Sequence, residues 1–231
     1  MASDDRSSAP SPVSAFTRLV ADARTALIVM TGALAVLWVV QIANWAGDYR
    51  LTADYGIHPH RLGGLGEVFS APLLHGNWEH LESNSVPLFA FGLLAAYRGM
   101  KRFLGVTLLI VLTSGAAVWL LEDGRTVTVG ASGVVYGYFG YVALRGVFDR
   151  NPLDTVIGVL LGVSYAYLLV AVVPGDPGIS WLGHLGGLLG GLAGAWVLRD
   201  RHPRAATAAP VPGQTRSTHA DLLKELDDLG I

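Results

Sequence analysis

The chain has 231 residues, of which 52% are hydrophobic and only 15% charged, with a formal net charge of -2 and a mean hydropathy of +0.45. Soluble globular domains carry roughly 25% charged residues, so this composition excludes an ordinary soluble enzyme and puts the chain in a lipid bilayer. There is no basic patch for nucleic acid, and the absence of cysteine excludes disulfides, thiolate metal sites and a cysteine nucleophile.

The first 24 residues are polar and carry Asp4 and Asp5, unlike the basic start of a cleaved signal peptide. They read as a cytoplasmic tail. A helix needs about 20 mostly apolar residues to cross a bilayer, and six stretches approach this: Ala26 to Trp45, Leu81 to Tyr97, Phe103 to Leu121, Val129 to Leu144, Val156 to Val173 and Ile179 to Leu198. The expected fold class is therefore an all-α, polytopic bundle of six transmembrane helices over residues 25–199. Lys and Arg favour the cytoplasmic side. Arg18, Arg24, Arg98, Lys101, Arg102, Arg145, Arg150, Arg199, Arg201 and Arg204 fall on one face, and only Arg50, Arg61 and Arg125 on the other. Both termini are expected in the cytoplasm, and the Gly and Ala richness and short loops fit a bacterial plasma membrane.

The connection from Ala46 to His80 is the longest, and a long ordered loop commonly shapes a site. At the other end, residues 200–231 begin as an Ala/Pro linker. Beyond it Leu222, Leu223, Leu226 and Leu229 could form the apolar side of a short helix capped by Ser217 or Thr218, either merely solvated or docking a cytoplasmic partner.

Polar groups at membrane depth are costly without partners and mark function. They gather in three helices. The second span opens with HGNWEHLESN, in which His80 and Asn84 share one helical face while Glu82 points elsewhere, where a structural hydrogen bond is expected for it ahead of a substrate-gating role. Pro87 in the same span is placed to bend it. The fourth opens with TVGASGVVYGYFGY, setting Ser132 among Gly130, Gly133, Gly137 and Gly140; the sixth, SWLGHLGGLLGGLAGAW, sets His184 beside two rows of glycines. Small residues let helix backbones approach closely, and a serine becomes a nucleophile only when a neutral imidazole can take its proton. His80, Asn84 and the Ser132 N–H are donors of the kind an oxyanion requires. Each motif alone reads more readily as packing, whereas three at one depth do not. A zinc HExxH motif, an embedded aspartate pair and the soluble GxSxG elbow are all absent, Val134 replacing the last glycine of that elbow. No metal or other cofactor is implied.

With Ser132, His184, His80 and Asn84 so placed, the sequence resembles the rhomboid intramembrane proteases over residues 26–198, most closely in GASGVVYGYFGYVALR from Gly130 to Arg145. The resemblance implies a cavity open to the outside and a Ser132–His184 dyad with no required third acid. It implies oxyanion stabilisation by His80, Asn84 and the Ser132 amide, and a Tyr136 ring packed on the catalytic imidazole. His75 would order the first loop. Substrates would be transmembrane proteins cut at small or helix-destabilising residues. The Trp-Arg pair common in the family's first loop is missing, which leaves the anchoring of that loop open. A catalytically inactive scaffold that binds membrane clients is the alternative.

Overall fold

The structure is a computed structural model and describes residues 12–175 and 178–200; the first eleven residues and the C-terminal segment expected to form the leucine helix lie outside them. The elements in order are α1 (Pro12–Ala46), α2 (Arg50–Tyr55), a 3-10 turn (Leu62–Gly64), α3 (Glu67–Ser70), a second 3-10 turn (Ala71–Leu73), α4 (Trp78–Ala96), α5 (Met100–Leu121), α6 (Ser132–Asp149), α7 (Pro152–Ser164), a 3-10 segment (Ala166–Val172) and α8 (Trp181–Val197). The six long spans expected from the apolar stretches are thus α1, α4, α5, α6, α7 with its 3-10 extension, and α8.

Two features differ from the sequence reading. Helix α1 starts at Pro12 rather than near Ala26, so part of the expected tail is helical; proline is favoured in a first helical turn because its missing N–H has no partner there. The fifth span is broken: α7 and the 3-10 segment meet at a 63° bend. Residues 156–173 carry no charge on either side of the bend and pass together as one apolar span, so mean hydropathy gives no sign of it. Helix α4 runs through Pro87 without interruption.

Among the described residues, only Val20–Ala46 and Met100–Leu121 are long and apolar enough to cross a membrane on those grounds alone, with the bent α7 pair a third. The other three, α4, α6 and α8, are those that carry the polar residues and the glycines. They are packed inward instead: α6 buries twelve residues from Gly133 to Gly146 and α8 nine from Leu182 to Ala195. Exposed Val39, Leu104, Val159 and Val170 on α1, α5, α7 and the 3-10 segment form the apolar exterior that lipid would cover.

At the end of the bundle away from the starts of α4, α6 and α8, a buried ion cluster ties the α4–α5 and α6–α7 connections together. Asp154 accepts from Tyr97 (2.8 Å), Arg98 (2.7 Å) and Arg145 (2.8 Å), and Arg145 also pairs with Asp149 at 3.5 Å. Buried charges are tolerated only when paired in this way.

Candidate active site

The first loop folds as a cap beside the start of α6. Ile57 pairs with Thr128 through reciprocal backbone bonds of 2.9 and 3.0 Å, and the Gly130 N–H donates to the Ala71 carbonyl at 3.0 Å. Ile57, Val68, Ala71 and Val118 form a small apolar core beneath it. Its anchor is Glu67, which sequence reasoning missed: the carboxylate accepts from the His58 N–H (2.9 Å), pairs with the His58 ring (3.1 Å) and accepts from Arg61. Burial works to raise the Glu67 pKa, but these donors outweigh it and hold the carboxyl below its ordinary value. The loop therefore has an acid-centred anchor of its own where the Trp-Arg pair is missing. The spacing of His58, Arg61 and Glu67 carries no motif, so only tertiary folding reveals it.

Ser132 is the first residue of α6, and its N–H, like the first donors of any helix, has no partner among the described residues. Gly130 just before it has φ of 126°, and a Cβ there would lie 2.6 Å from the His80 ring. Only glycine meets both demands. His80 is thereby pressed against the turn that carries Ser132. Asn84, one helical turn further along α4, is 6% exposed and its Nδ2 donor has no partner among the described residues. His75 is fully buried, stacks edge-on against His80 at 5.1 Å and accepts a long bond of 3.4 Å from the Ala131 N–H. Burial, with His80 close by, pushes the His75 pKa down to about 3, so it stays a neutral acceptor bracing this turn.

His184 lies in the first turn of α8, whose N-cap Ser180 accepts from the Gly183 N–H at 3.0 Å. Helices α6 and α8 touch backbone to backbone. A Cβ on Gly187 would fall 2.0 Å from the Gly133 carbonyl oxygen, one on Gly191 1.8 Å from that of Gly137, and one on Gly133 3.1 Å from that of Gly183. The residue after Ser132 therefore abuts the residue before His184. The His184 ring stacks on Tyr136 of α6, centroids 4.1 Å apart and planes 11° from parallel. Its Nδ1 lies 2.9 Å from the Ala171 carbonyl. A carbonyl can only accept, so Nδ1 carries the proton and Nε2 is left as the acceptor, the tautomer a general base needs. Ser132 Oγ makes no hydrogen bond among the described residues, and such contacts commonly tighten only with substrate bound.

Ser132, His184 and Tyr136 are thus on two helices in contact, with His80 and His75 packed around the same turn. Glu82 differs from expectation: it is exposed and makes no hydrogen bond among the described residues, because it sits on the side of α4 turned away from the bundle. The Ala171 carbonyl was not legible in the sequence, since any residue supplies one.

The family model for the rhomboid domain matches residues 63–201. The chain belongs to the rhomboid family. An uncharacterised protein of Mycobacterium tuberculosis is 35% identical over 186 residues, covering 76% of this chain and 77% of its own length. Rhomboid-like protein 11, a chloroplast protein of Arabidopsis thaliana, is 27% identical over 61% of this chain and 54% of its own. A Bacillus subtilis protein provisionally named as a rhomboid protease is 33% identical over 52% and 60% respectively. The match takes in α4, α6 and α8, which carry Ser132, His184, His80, Asn84 and Tyr136, and the turns before them that carry His75 and Gly130. As a rhomboid-family chain with an apolar exterior, it is a membrane protein.

Proposed function

We propose that this protein is an intramembrane serine endopeptidase that hydrolyses peptide bonds in or near the transmembrane segments of other membrane proteins. The observation that carries the reading is the state of His184: its ring is stacked on Tyr136, its Nδ1 is committed to the Ala171 carbonyl, and its Nε2 is free to accept a proton beside the first turn of α6. In the proposed mechanism Ser132 Oγ loses its proton to His184 Nε2 as it attacks the scissile carbonyl. The Ser132 N–H, the Asn84 amide and the His80 ring receive the oxyanion. Asn84 suits that role because its buried Nδ2 has no partner among the described residues, and a donor left unpaired by the fold costs no internal bond when it turns to substrate. His184 then returns the proton to the leaving amine, the acyl-enzyme forms, and water attacks it by the same acid–base cycle. Water must reach this site, so a bond exposed at the end of a substrate helix is the expected target.

The ten-to-three distribution of basic residues supports cytoplasmic termini in a plasma membrane, with Ser132 towards the outer face. The C-terminal segment that carries Leu222, Leu223, Leu226 and Leu229 would then be available to a cytoplasmic partner. The test is fluorophosphonate labelling of the detergent-solubilised protein together with cleavage of a model transmembrane substrate. Wild type should label and cleave, and Ser132→Ala and His184→Ala should do neither. Cleavage that survives Ser132→Ala would exclude the mechanism, and a folded wild type that never labels would favour a client-binding scaffold.

A further inference from the structure

Both helices that bear the proposed dyad begin at irregular loops, and a loop end has no intrinsic reason to hold its position to the fraction of an ångström that proton transfer demands. One side chain joins the two. Glu122, immediately after α5, accepts from the Ser180 hydroxyl through Oε1 and from the Thr128 hydroxyl through Oε2. Ser180 is the N-cap of α8, and its carbonyl accepts from the His184 N–H at 3.1 Å. Thr128 lies in the strap leading to Ser132 and is paired along its backbone with Ile57 of the first loop. The Glu122 carbonyl adds a third link, to His60 Nε2 at 2.9 Å. One residue therefore holds the approach to the nucleophile, the cap of the base-bearing helix and the first loop.

We propose that Glu122 is a positioning residue for the Ser132–His184 pair, setting the spacing of the two through Thr128 and Ser180 without touching substrate. The inference rests on the protease reading above. Carboxylate chemistry suits this role, because it offers two acceptor oxygens on one rigid plane, so two hydroxyls bound to it are held at a fixed separation. Ser180 donates to Glu122 while accepting from the Gly183 N–H, so its hydroxyl is used in both directions and its rotamer is fixed. A residue within α5 works in the same sense: Ser114 donates to the Gly183 carbonyl at 2.8 Å, one residue before His184. Helix α5 thus acts as a strut that meets the base-bearing helix at two heights.

The experiment follows fluorophosphonate labelling in time, because its amplitude reports the folded fraction and its rate the activation of Ser132. Glu122→Ala should slow the rate by about tenfold or more, as expected when a reacting pair is loosened, with most of the amplitude kept. With a transmembrane substrate, kcat should fall and KM stay near its wild-type value. Glu122→Gln keeps the shape and one carbonyl acceptor and should recover part of the rate. Thr128→Val, which keeps the backbone pairing with Ile57, should slow the wild-type protein but change nothing in the Glu122→Ala background, the sign of a shared interaction. A purely structural Glu122 would lower the amplitude and leave the rate of the labelled fraction unchanged, and that result would overturn the inference. If Glu122→Ala does not fold, Glu122→Gln and Thr128→Val decide in its place, wild-type rates in both being the refuting outcome. A wild type that never labels removes the dyad reading and this inference with it, whereas a labelled wild type with indifferent variants removes this inference alone.

Discussion

Replacing Gly187 with alanine adds one methyl group at the point where α8 lies against the start of α6. The new Cβ would stand 2.0 Å from the Gly133 carbonyl oxygen and 2.8 Å from its carbon, whereas real Cβ atoms essentially never approach within 3.0 Å. Both neighbours are main-chain atoms, so no side chain can swing aside and the helices must part locally by about 1 Å. Overpacking of this size costs about 1–3 kcal/mol, and alanine returns about 1 kcal/mol through its better helix propensity. Net stability should therefore fall by no more than about 2 kcal/mol. Geometry is a different matter, since a displacement of about 1 Å between reacting groups can cost about 10²-fold in rate. Gly187→Ala should thus remain folded in detergent while labelling with a fluorophosphonate about a hundredfold more slowly than wild type. Gly32→Ala on α1, where a Cβ meets nothing within 4 Å, is the control and should label normally. A Gly187→Ala protein that labels at the wild-type rate would refute the argument that backbone contact sets the distance between Ser132 and His184.

Further outcomes are expected elsewhere in the molecule. Asp154→Asn removes the carboxylate that accepts from Tyr97, Arg98 and Arg145; it should destabilise the fold by about 3–5 kcal/mol, read by denaturation in detergent, and an unchanged midpoint would count against the cluster as a structural lock. The Glu67 carboxyl is held below its ordinary value of 4.5, so its contribution to ordering the first loop is fully present above that pH and is lost as pH falls through the lower folded value. Proteolysis between Ala46 and Trp78 should accordingly rise on acidification below about pH 4.5, and Glu67→Gln should show the same susceptibility at neutral pH. Because the chain has no cysteine, single cysteines at Gly63 and Lys101 report topology without background; an impermeant maleimide added to whole cells should reach the first and not the second.

The sequence made the bundle legible through six apolar runs, and the candidate site through three chemically unlike motifs, HxxxN, GASG and a histidine in a glycine ladder, each at the start of a span. Those signals survive in one dimension because they depend on helical periodicity and on the scarcity of polar groups in lipid. What the sequence did not disclose depends on contacts between distant segments. Glu67 meets His58 and Arg61 only because the first loop turns back on itself, and Glu122 meets Ser180 across an interval of 58 residues. The break after Ser164 was hidden for another reason: residues 156–173 carry no charge and pass as one apolar span, and hydropathy counts residues without sensing where a helix loses its hydrogen bonds. Glu82 shows the converse, since its place in a polar run at the start of α4 suggested a structural hydrogen bond, while the helix turns it outward.

That break after Ser164 also decides what kind of orienting group His184 can have. In an uninterrupted helix every interior carbonyl is already occupied by the N–H one turn ahead. Where α7 gives way to a short 3-10 segment ending at Val172, the Ala171 carbonyl has no such claimant and turns to the imidazole instead. The His184 ring is steered by the main chain, so no single side-chain replacement deletes that hydrogen bond. In the proposed mechanism, straightening of the fifth span into a regular helix would withdraw that carbonyl and weaken the base while leaving both Ser132 and His184 in the sequence.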